Sequence, residues 1–293
     1  ISKILQQNNF NFVSKNKYQH NPKFLLNALN EKKIENTIID MREKGENISK
    51  LLFKNNFKSI LFDDAWCKNV YSDILFNGTN VKNYHKYNKI NKNSKLFLNT
   101  KYWIINKNFS YFTKKLSDIK EKQKYHIVIS MGGSDPNNLT LNVVNSIKDI
   151  KIIDIMIVVG PFFNNTIKLK NIIKSNRHIK LIKSSEKIWR DFSKADVVIT
   201  NGGNTLFELS ALSIPTLSIP AFKHEIKYSE AFMNENFSIN LGLKQINKKK
   251  INFNLLNLLQ NISLRKKMFY SGKKIVDGKG LLRVQKIILN SLN

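Results

Sequence analysis

Short apolar runs alternate with amphipathic stretches along nearly the whole chain. Residues 37–40 (TIID), 59–64 (SILFDD), 73–77 (DILFN) and 95–99 (KLFLN) are compact apolar segments, each closing on Asp or Asn. A second series follows at 125–130 (YHIVIS), 152–159, 178–182, 196–200 and 216–219. Runs this short, rich in Ile, Val, Leu and Phe, fit strands covered on both faces. Helical periodicity is predicted between them, at 24–33, 48–55, 138–147, 186–193, 205–212, 229–236, 255–259 and 281–292. The N-terminal residues add a helix at 1–8 and an alternating strand at 10–14. Residues 80–94 are polar and read as a loop, and the charged stretch 114–124 is the candidate linker. Strands alternating with helices predict an α/β fold with parallel sheets and right-handed crossovers. The expected division is an N-terminal domain over 1–118 and a C-terminal domain over 119–293.

Two glycine pairs stand out. Gly132-Gly133 and Gly202-Gly203 each follow a predicted strand and precede a predicted helix. Such turns aim backbone N–H groups outward at the positive end of a helix, where a phosphate binds well. One turn alone is a weak signal; two in one domain with Glu208 form a constellation. Glu208 fits two readings: a favourable charge near a helix N-terminus, or a carboxylate accepting both hydroxyls of a ribose. His224 and Glu225 follow a predicted strand end, in what reads as a loop, either facing solvent or reaching a ligand. Asp63 and Asp64 end another strand; either caps a turn or serves as a catalytic carboxylate.

Composition narrows the classes. A chain of 293 residues with 42% hydrophobic and 11% aromatic content is ordered and holds one large or two medium domains. No apolar run approaches the roughly 18 residues of a membrane span, and the first residues carry no secretory signal pattern. A cytoplasmic location is expected, in keeping with the single cysteine, Cys67. The formal charge of +28 comes almost wholly from lysines spread along the chain beside Asn and Ile, as in 89–95 (KINKNSK). That distribution reads as a solvated lysine-rich surface. Weak association with an anionic membrane surface is the lesser reading, and nucleic acid is not expected as a partner. His20, His85, His126 and His178 have no carboxylate or cysteine at metal-ligand spacing, so no metal site is expected.

Residues 129–140 (ISMGGSDPNNLT) resemble the glycine loop of the hydrolases that remove UDP from UDP-2,4-diacetamido-2,4,6-trideoxy-β-L-altropyranose in the pseudaminic acid pathway. Those enzymes are similar in turn to the family 28 glycosyltransferases. Residues 202–209 (GGNTLFEL), with Ser213-Ile214-Pro215, resemble the family's second motif, and Asp277-Gly278-Lys279-Gly280 its C-terminal segment. Asp63-Asp64 resembles its strand-end acid pair, and residues 101–105 (KYWII) its Tyr-containing segment. The similarity covers about 10–284 and is strongest in the second half.

The resemblance implies a GT-B fold of two Rossmann-like domains, with the nucleotide on the C-terminal one and the last helix packing back toward the N-terminal one. It implies that Gly132, Gly133, Ser134 and Thr205 face the diphosphate, with Asp135, Asn138, Gly202, Gly203 and Asn204 completing the two loops. Glu208 would take the ribose, and His224 and Glu225 would reach toward the sugar. Neither cofactor nor metal is implied, because loop amides and helix N-termini supply the counter-charge. Three departures concern the catalytic half. The family's opening strand with its Gly-x-Gly-His loop would precede Ile1, so the sequence is expected to be N-terminally incomplete. Its Asp-His-Tyr strand end stands here as Asp40-Met41-Arg42, and an expected Arg is missing from residues 105–109 (INKNF). The expected function is a UDP-sugar hydrolase. The alternatives are a glycosyltransferase using a UDP-sugar donor and a non-catalytic nucleotide-sugar-binding protein.

Overall fold

The computed structural model describes residues 22–41, 43–183, 187–243 and 247–292. The helix expected at 1–8, the strand at 10–14, His20, Arg42 and Glu186 lie outside the described residues. The chain forms two compact units. Of the described residues, the first comprises those up to Phe76 together with 86–97, and the second 77–85 and those from Leu98 onward. The expected boundary at 118/119 falls inside the second unit.

The first unit contains α1 (Pro22–Glu31), β1 (Asn36–Asp40), α2 (Gly45–Lys54), β2 (Lys58–Phe62), β3 (Asn69–Val70), β4 (Ile74–Asn77), β5 (Asn88–Lys89) and β6 (Lys95–Leu98). Its sheet runs β1-β2-β4-β6, with β1/β2 and β2/β4 parallel. Phe62, Phe76 and Phe97 stack across three strands with centroids 5.1 and 5.2 Å apart. Such cross-strand aromatic pairs fix register. The polar segment 80–94 is more ordered than its composition predicts. It holds a 3-10 turn at Lys82–His85, which belongs to the second unit, and β5, which pairs with β3 in the first.

The second unit continues with α3 (Asn108–Tyr111), β7 (Tyr125–Ser130), α4 (Leu139–Ile147), β8 (Ile153–Val159), α5 (Thr166–Lys174), β9 (Ile179–Lys183) and α6 (Ile188–Ser193). It then runs through β10 (Val197–Thr200), α7 (Thr205–Leu212), β11 (Thr216–Ser218), α8 (Lys223–Asn234), β12 (Ser238–Asn240), α9 (Lys248–Gln260), α10 (Ile262–Ile275) and α11 (Gly280–Leu292). Its sheet is all parallel in the order β12-β11-β10-β7-β8-β9. Alternate residues feed two separate cores: Ile127 and Ile129 enter one, Val128 the other. Burial on both faces explains why these strands read as unbroken apolar runs. The chain builds outward from β7 to β9, then returns to place β10 on the other side of β7. Connections after β7 and β10 therefore diverge, leaving a crevice at their carboxyl ends.

The charged segment 114–124 is not a free linker. Lys114 donates to the Ala195 carbonyl at 2.5 Å and lies 3.8 Å from Asp196, which Lys122 approaches to 2.7 Å. Asp196 also accepts from the His126 N–H at 2.9 Å. Burial pulls the Lys114 ammonium below its ordinary pKa, while Asp196 opposes the shift. The Asp277-Gly278-Lys279-Gly280 segment has a packing reason. A Cβ on Gly280 would sit 2.0 Å from the Trp103 carbonyl oxygen, and one on Gly278, at φ +72°, would sit 2.6 Å from Ser110 Cβ. Asp277 then closes the turn on Arg283 through two hydrogen bonds of 2.9 and 2.5 Å. Trp103 in turn stacks on Phe207 of α7, with centroids 3.8 Å apart.

Candidate functional site

The crevice between β7 and β10 is bordered by the two glycine turns, and they are built differently. After β7, Gly132 takes φ +77° and Asp135 φ +44°. The Asp135 carboxylate is buried and accepts from the N–H groups of Leu139 at 2.9 Å and Thr140 at 2.8 Å. It therefore closes the start of α4, a role that its grouping with the ligand contacts did not foresee. Asn138 is left-handed at φ +54°, and its side-chain oxygen accepts from Asn165. These two residues shape the loop. The N–H groups of Gly133 and Ser134 have no acceptor among the described residues. A Cβ on Gly133 would meet nothing within 4 Å, so this backbone is open to a ligand.

After β10 the arrangement is reversed. Asn204 at the start of α7 makes no side-chain capping bond, and the N–H groups of Gly203, Asn204 and Thr205 have no acceptor among the described residues. Uncapped donors at a helix start are an anion site in waiting. Gly202 has a separate reason to lack a side chain, because a Cβ there would lie 2.4 Å from Ser229 Oγ and 2.7 Å from the Glu225 carbonyl oxygen. One helical turn further, Glu208 is half-buried. No hydrogen bond or ion pair reaches its carboxylate among the described residues, and burial pushes its pKa up to about 7. Proximity to a helix N-terminus ordinarily lowers such a pKa; here desolvation wins.

His224 and Glu225 are not in a loop, as expected, but in the first turn of α8. The helix starts earlier than its apolar pattern suggests because Glu225 is turned inward. His224 stacks on Phe222 at 5.6 Å with rings 10° apart. Glu225 accepts from Asn201 Nδ2 at 2.7 Å, Ala221 N at 2.7 Å and Gly202 N at 3.3 Å. Asn201 is a site residue that the sequence pattern did not single out, although its place before the glycine pair marks the strand end. Asn137 Nδ2 donates to the Ala221 carbonyl at 2.7 Å, tying the β7 turn to the segment that leads into α8.

In the first unit, Asp63 is fully engaged. It accepts from Trp66 N at 3.0 Å, Cys67 N at 3.2 Å and the Tyr87 hydroxyl at 2.7 Å. That is the turn-capping reading, not a carboxylate held ready for chemistry. Asp64 beside it is half-buried. A groove of about 410 Å³ lined by His126, Met156, Lys180 and Lys194 lies at the opposite ends of β7–β9, and its Asp154 is already paired with Lys124. It faces away from the glycine turns. Among the described residues no cluster of His, Cys, Asp or Glu is placed to hold a metal ion, and no helix is long and apolar enough to cross a membrane.

Residues 127–278 match the model of the glycosyltransferase family 28 C-terminal domain. The chain is 23% identical over 271 residues to the spore coat polysaccharide biosynthesis protein SpsG of Bacillus subtilis (strain 168), covering 90% of this chain and 79% of that one. Among solved structures it resembles MurG of Acinetobacter baumannii with a TM-score of 0.72 at 11% identity, over 99% of this chain and 88% of that one. It also resembles UDP-GlcNAc 2-epimerase from Neisseria meningitidis bound to UDP-GlcNAc, with a TM-score of 0.63 at 13% identity, over 99% and 88% of the two chains. At these identities the structural likeness establishes the fold, an α/β GT-B architecture of two Rossmann-like domains with parallel sheets. The matched segment runs from β7 through both glycine turns and Glu208 to Gly278, just over half of the sequence, and by it the chain belongs to the family of the glycosyltransferase family 28 C-terminal domain.

Proposed function

We propose that the chain binds a UDP-linked diacetamido-trideoxy sugar in the crevice of its second unit and releases UDP by hydrolysis, in the biosynthesis of nonulosonic acids of the pseudaminic type and of surface glycans. The observation that carries the nucleotide reading is Glu208. A carboxylate left without a partner and partly desolvated, one turn from a set of unused N–H donors, is suited to take two ribose hydroxyls while those donors take the diphosphate. Gly133 and Ser134 meet the phosphates from one side, and Gly203, Asn204 and Thr205 from the other. The sugar then lies toward the Phe222–His224 pair at the start of α8. Ligand charge is met by neutral amides, so binding needs no cation. The relation to SpsG, named for polysaccharide biosynthesis, agrees with a surface-glycan role.

A glycosyltransferase using the same donor is the second reading, favoured by the family match and the MurG-like fold. The two separate cleanly. Incubating the protein with the UDP-sugar and following UDP by a coupled assay gives acceptor-independent release for a hydrolase. Release that begins only when a sugar or lipid acceptor is added overturns hydrolysis in favour of transfer. UDP binding without release under either condition leaves a binding protein.

A further inference from the structure

We propose that Glu225 is a positioning residue: its buried carboxylate holds both glycine turns at the spacing a nucleotide requires, without touching the nucleotide. This rests on the nucleotide-site reading above, and reverses the expectation that Glu225 reaches toward the sugar. The side chain is 4% exposed and both oxygens are taken. Oε1 accepts from the Asn201 amide at 2.7 Å, while Oε2 accepts from Ala221 N at 2.7 Å and Gly202 N at 3.3 Å. One carboxylate thus joins the residue after β10, the segment after β11 and the first turn of α8. No cation pairs with it among the described residues, so its charge is met by N–H donors alone, each bond being charge-assisted.

Its reach extends to the other turn through Asn201. The Asn201 Nδ2 atom lies 3.4 Å from where a Cβ on Gly132 would stand, and the same distance from one on Gly203. A single amide, oriented by Glu225, therefore supports both turns from beneath. Asn201 lies on the carboxyl end of β10, next to β7 in the sheet, so small rotations of that amide move the floor of the crevice. With three of about four acceptor positions filled internally and the residue 4% exposed, little of this carboxylate is left for a ligand. Its influence on binding passes through the turns.

The carboxylate–amide pair can be inverted. In Glu225→Gln the new oxygen can still accept from Gly202 and Ala221, but the new amide faces the Asn201 amide donor to donor. Adding Asn201→Asp restores an acceptor at that point and moves the charge to the other partner. Two measurements decide the matter on the full chain: UDP affinity by isothermal titration calorimetry, and the backbone amide shifts of Gly132, Gly133 and Gly203 by NMR without ligand. Glu225→Gln is expected to weaken UDP at least tenfold and to shift the amides of both turns, including the β7 turn it does not touch. The double substitution is expected to recover most of the affinity and return the shifts toward their original positions. Asn201→Asp alone, with two carboxylates abutting, should bind most weakly.

Loss of affinity in Glu225→Gln that the double substitution leaves unrepaired, with Gly132 and Gly133 unshifted, would make Glu225 a direct ligand contact and overturn the proposal. A lower melting temperature with unchanged affinity and unmoved β7-turn amides would reduce Glu225 to a helix-start carboxylate and overturn it equally. If the unsubstituted chain fails to bind UDP, the nucleotide reading falls. The shift pattern still decides whether Glu225 holds the two turns.

Discussion

Replacing Glu208 by Gln should make the second unit more stable at the same time as it damages the site. The Glu208 carboxyl is raised from 4.5 to about 7 in the folded protein by burial. A raised acid favours the folded state fully below its unfolded pKa, and that contribution is lost as pH climbs through the folded value. Between about pH 4.5 and 7, therefore, this group makes the ligand-free protein progressively less stable. The difference in pKa corresponds to roughly 3 kcal/mol at pH 8. Gln fills the same volume without a charge to desolvate, so its variant escapes the loss. The chain has three tryptophans, Trp66 in the first unit and Trp103 and Trp189 in the second. In a Trp66→Phe background, urea unfolding followed by tryptophan fluorescence reports the second unit alone. The expected result is a stability that falls from pH 5 to pH 8 with Glu208 and falls less with Gln, the variant being more stable at pH 8 by about 1–3 kcal/mol. Every other ionisable group is common to both proteins, so the difference isolates Glu208. Equal stabilities at pH 8 and parallel pH profiles would refute the claim that this carboxylate is held desolvated and unpaired.

Other consequences concern the frame around the site. Asp196→Asn should cost about 3 kcal/mol, because it leaves the buried Lys114 ammonium without its counter-charge; urea unfolding of the same reporter protein at pH 7 checks this. Gly280→Ala should destabilise the second unit by at least about 1–3 kcal/mol, since the added methyl would enter the Trp103 carbonyl, and thermal melting measures it. The Asp277 carboxyl is held below its usual range chiefly by the hydrogen bonds from Arg283. Its contribution is present above pH 3.8 and is lost as pH falls through the depressed value. Asp277→Asn should therefore cost at most about 1 kcal/mol at pH 7, the pair being partly exposed to solvent screening, and the cost should shrink as pH falls below 3.8; stability curves across that range check this.

Much of this architecture was legible in the sequence because the second sheet is covered on both faces. Val197-Val198-Ile199 and Ile127-Val128-Ile129 could only be buried strands, and the glycines that follow them mark the turns. Less legible were elements whose burial depends on a single stripe. Residues 166–174 of α5 are not among the predicted helices, because only Leu169 is fully covered and the apolar stripe is narrow. Residues 262–275 of α10 are likewise not among the predicted helices, and a Cβ on Gly272 would lie 2.8 Å from Phe237 and 2.9 Å from the Ser210 carbonyl oxygen. The glycine is there to let two helices approach. The three-residue β12 is too short for any periodicity. Within the site, Glu208 could be located but not distinguished from an ordinary helix-start acid, because its lack of a partner is a property of the tertiary structure. Glu225 reads as a loop residue rather than part of a helix start for the converse reason. Its partners, Asn201 and Gly202, are brought beside it only by the parallel pairing of β10 with β11.

In the proposed complex the Glu208 carboxylate meets the ribose of a nucleoside diphosphate bound between the two glycine turns. Isothermal titration of UDP and of 2′,3′-dideoxy-UDP into the protein and its Glu208→Gln variant tests it directly. The unsubstituted protein should prefer UDP by about 1–3 kcal/mol, the worth of hydrogen bonds to a charged acceptor, and the variant should lose most of that preference while binding the dideoxy ligand as before. An equal preference for UDP in both proteins, or none in either, would contradict it.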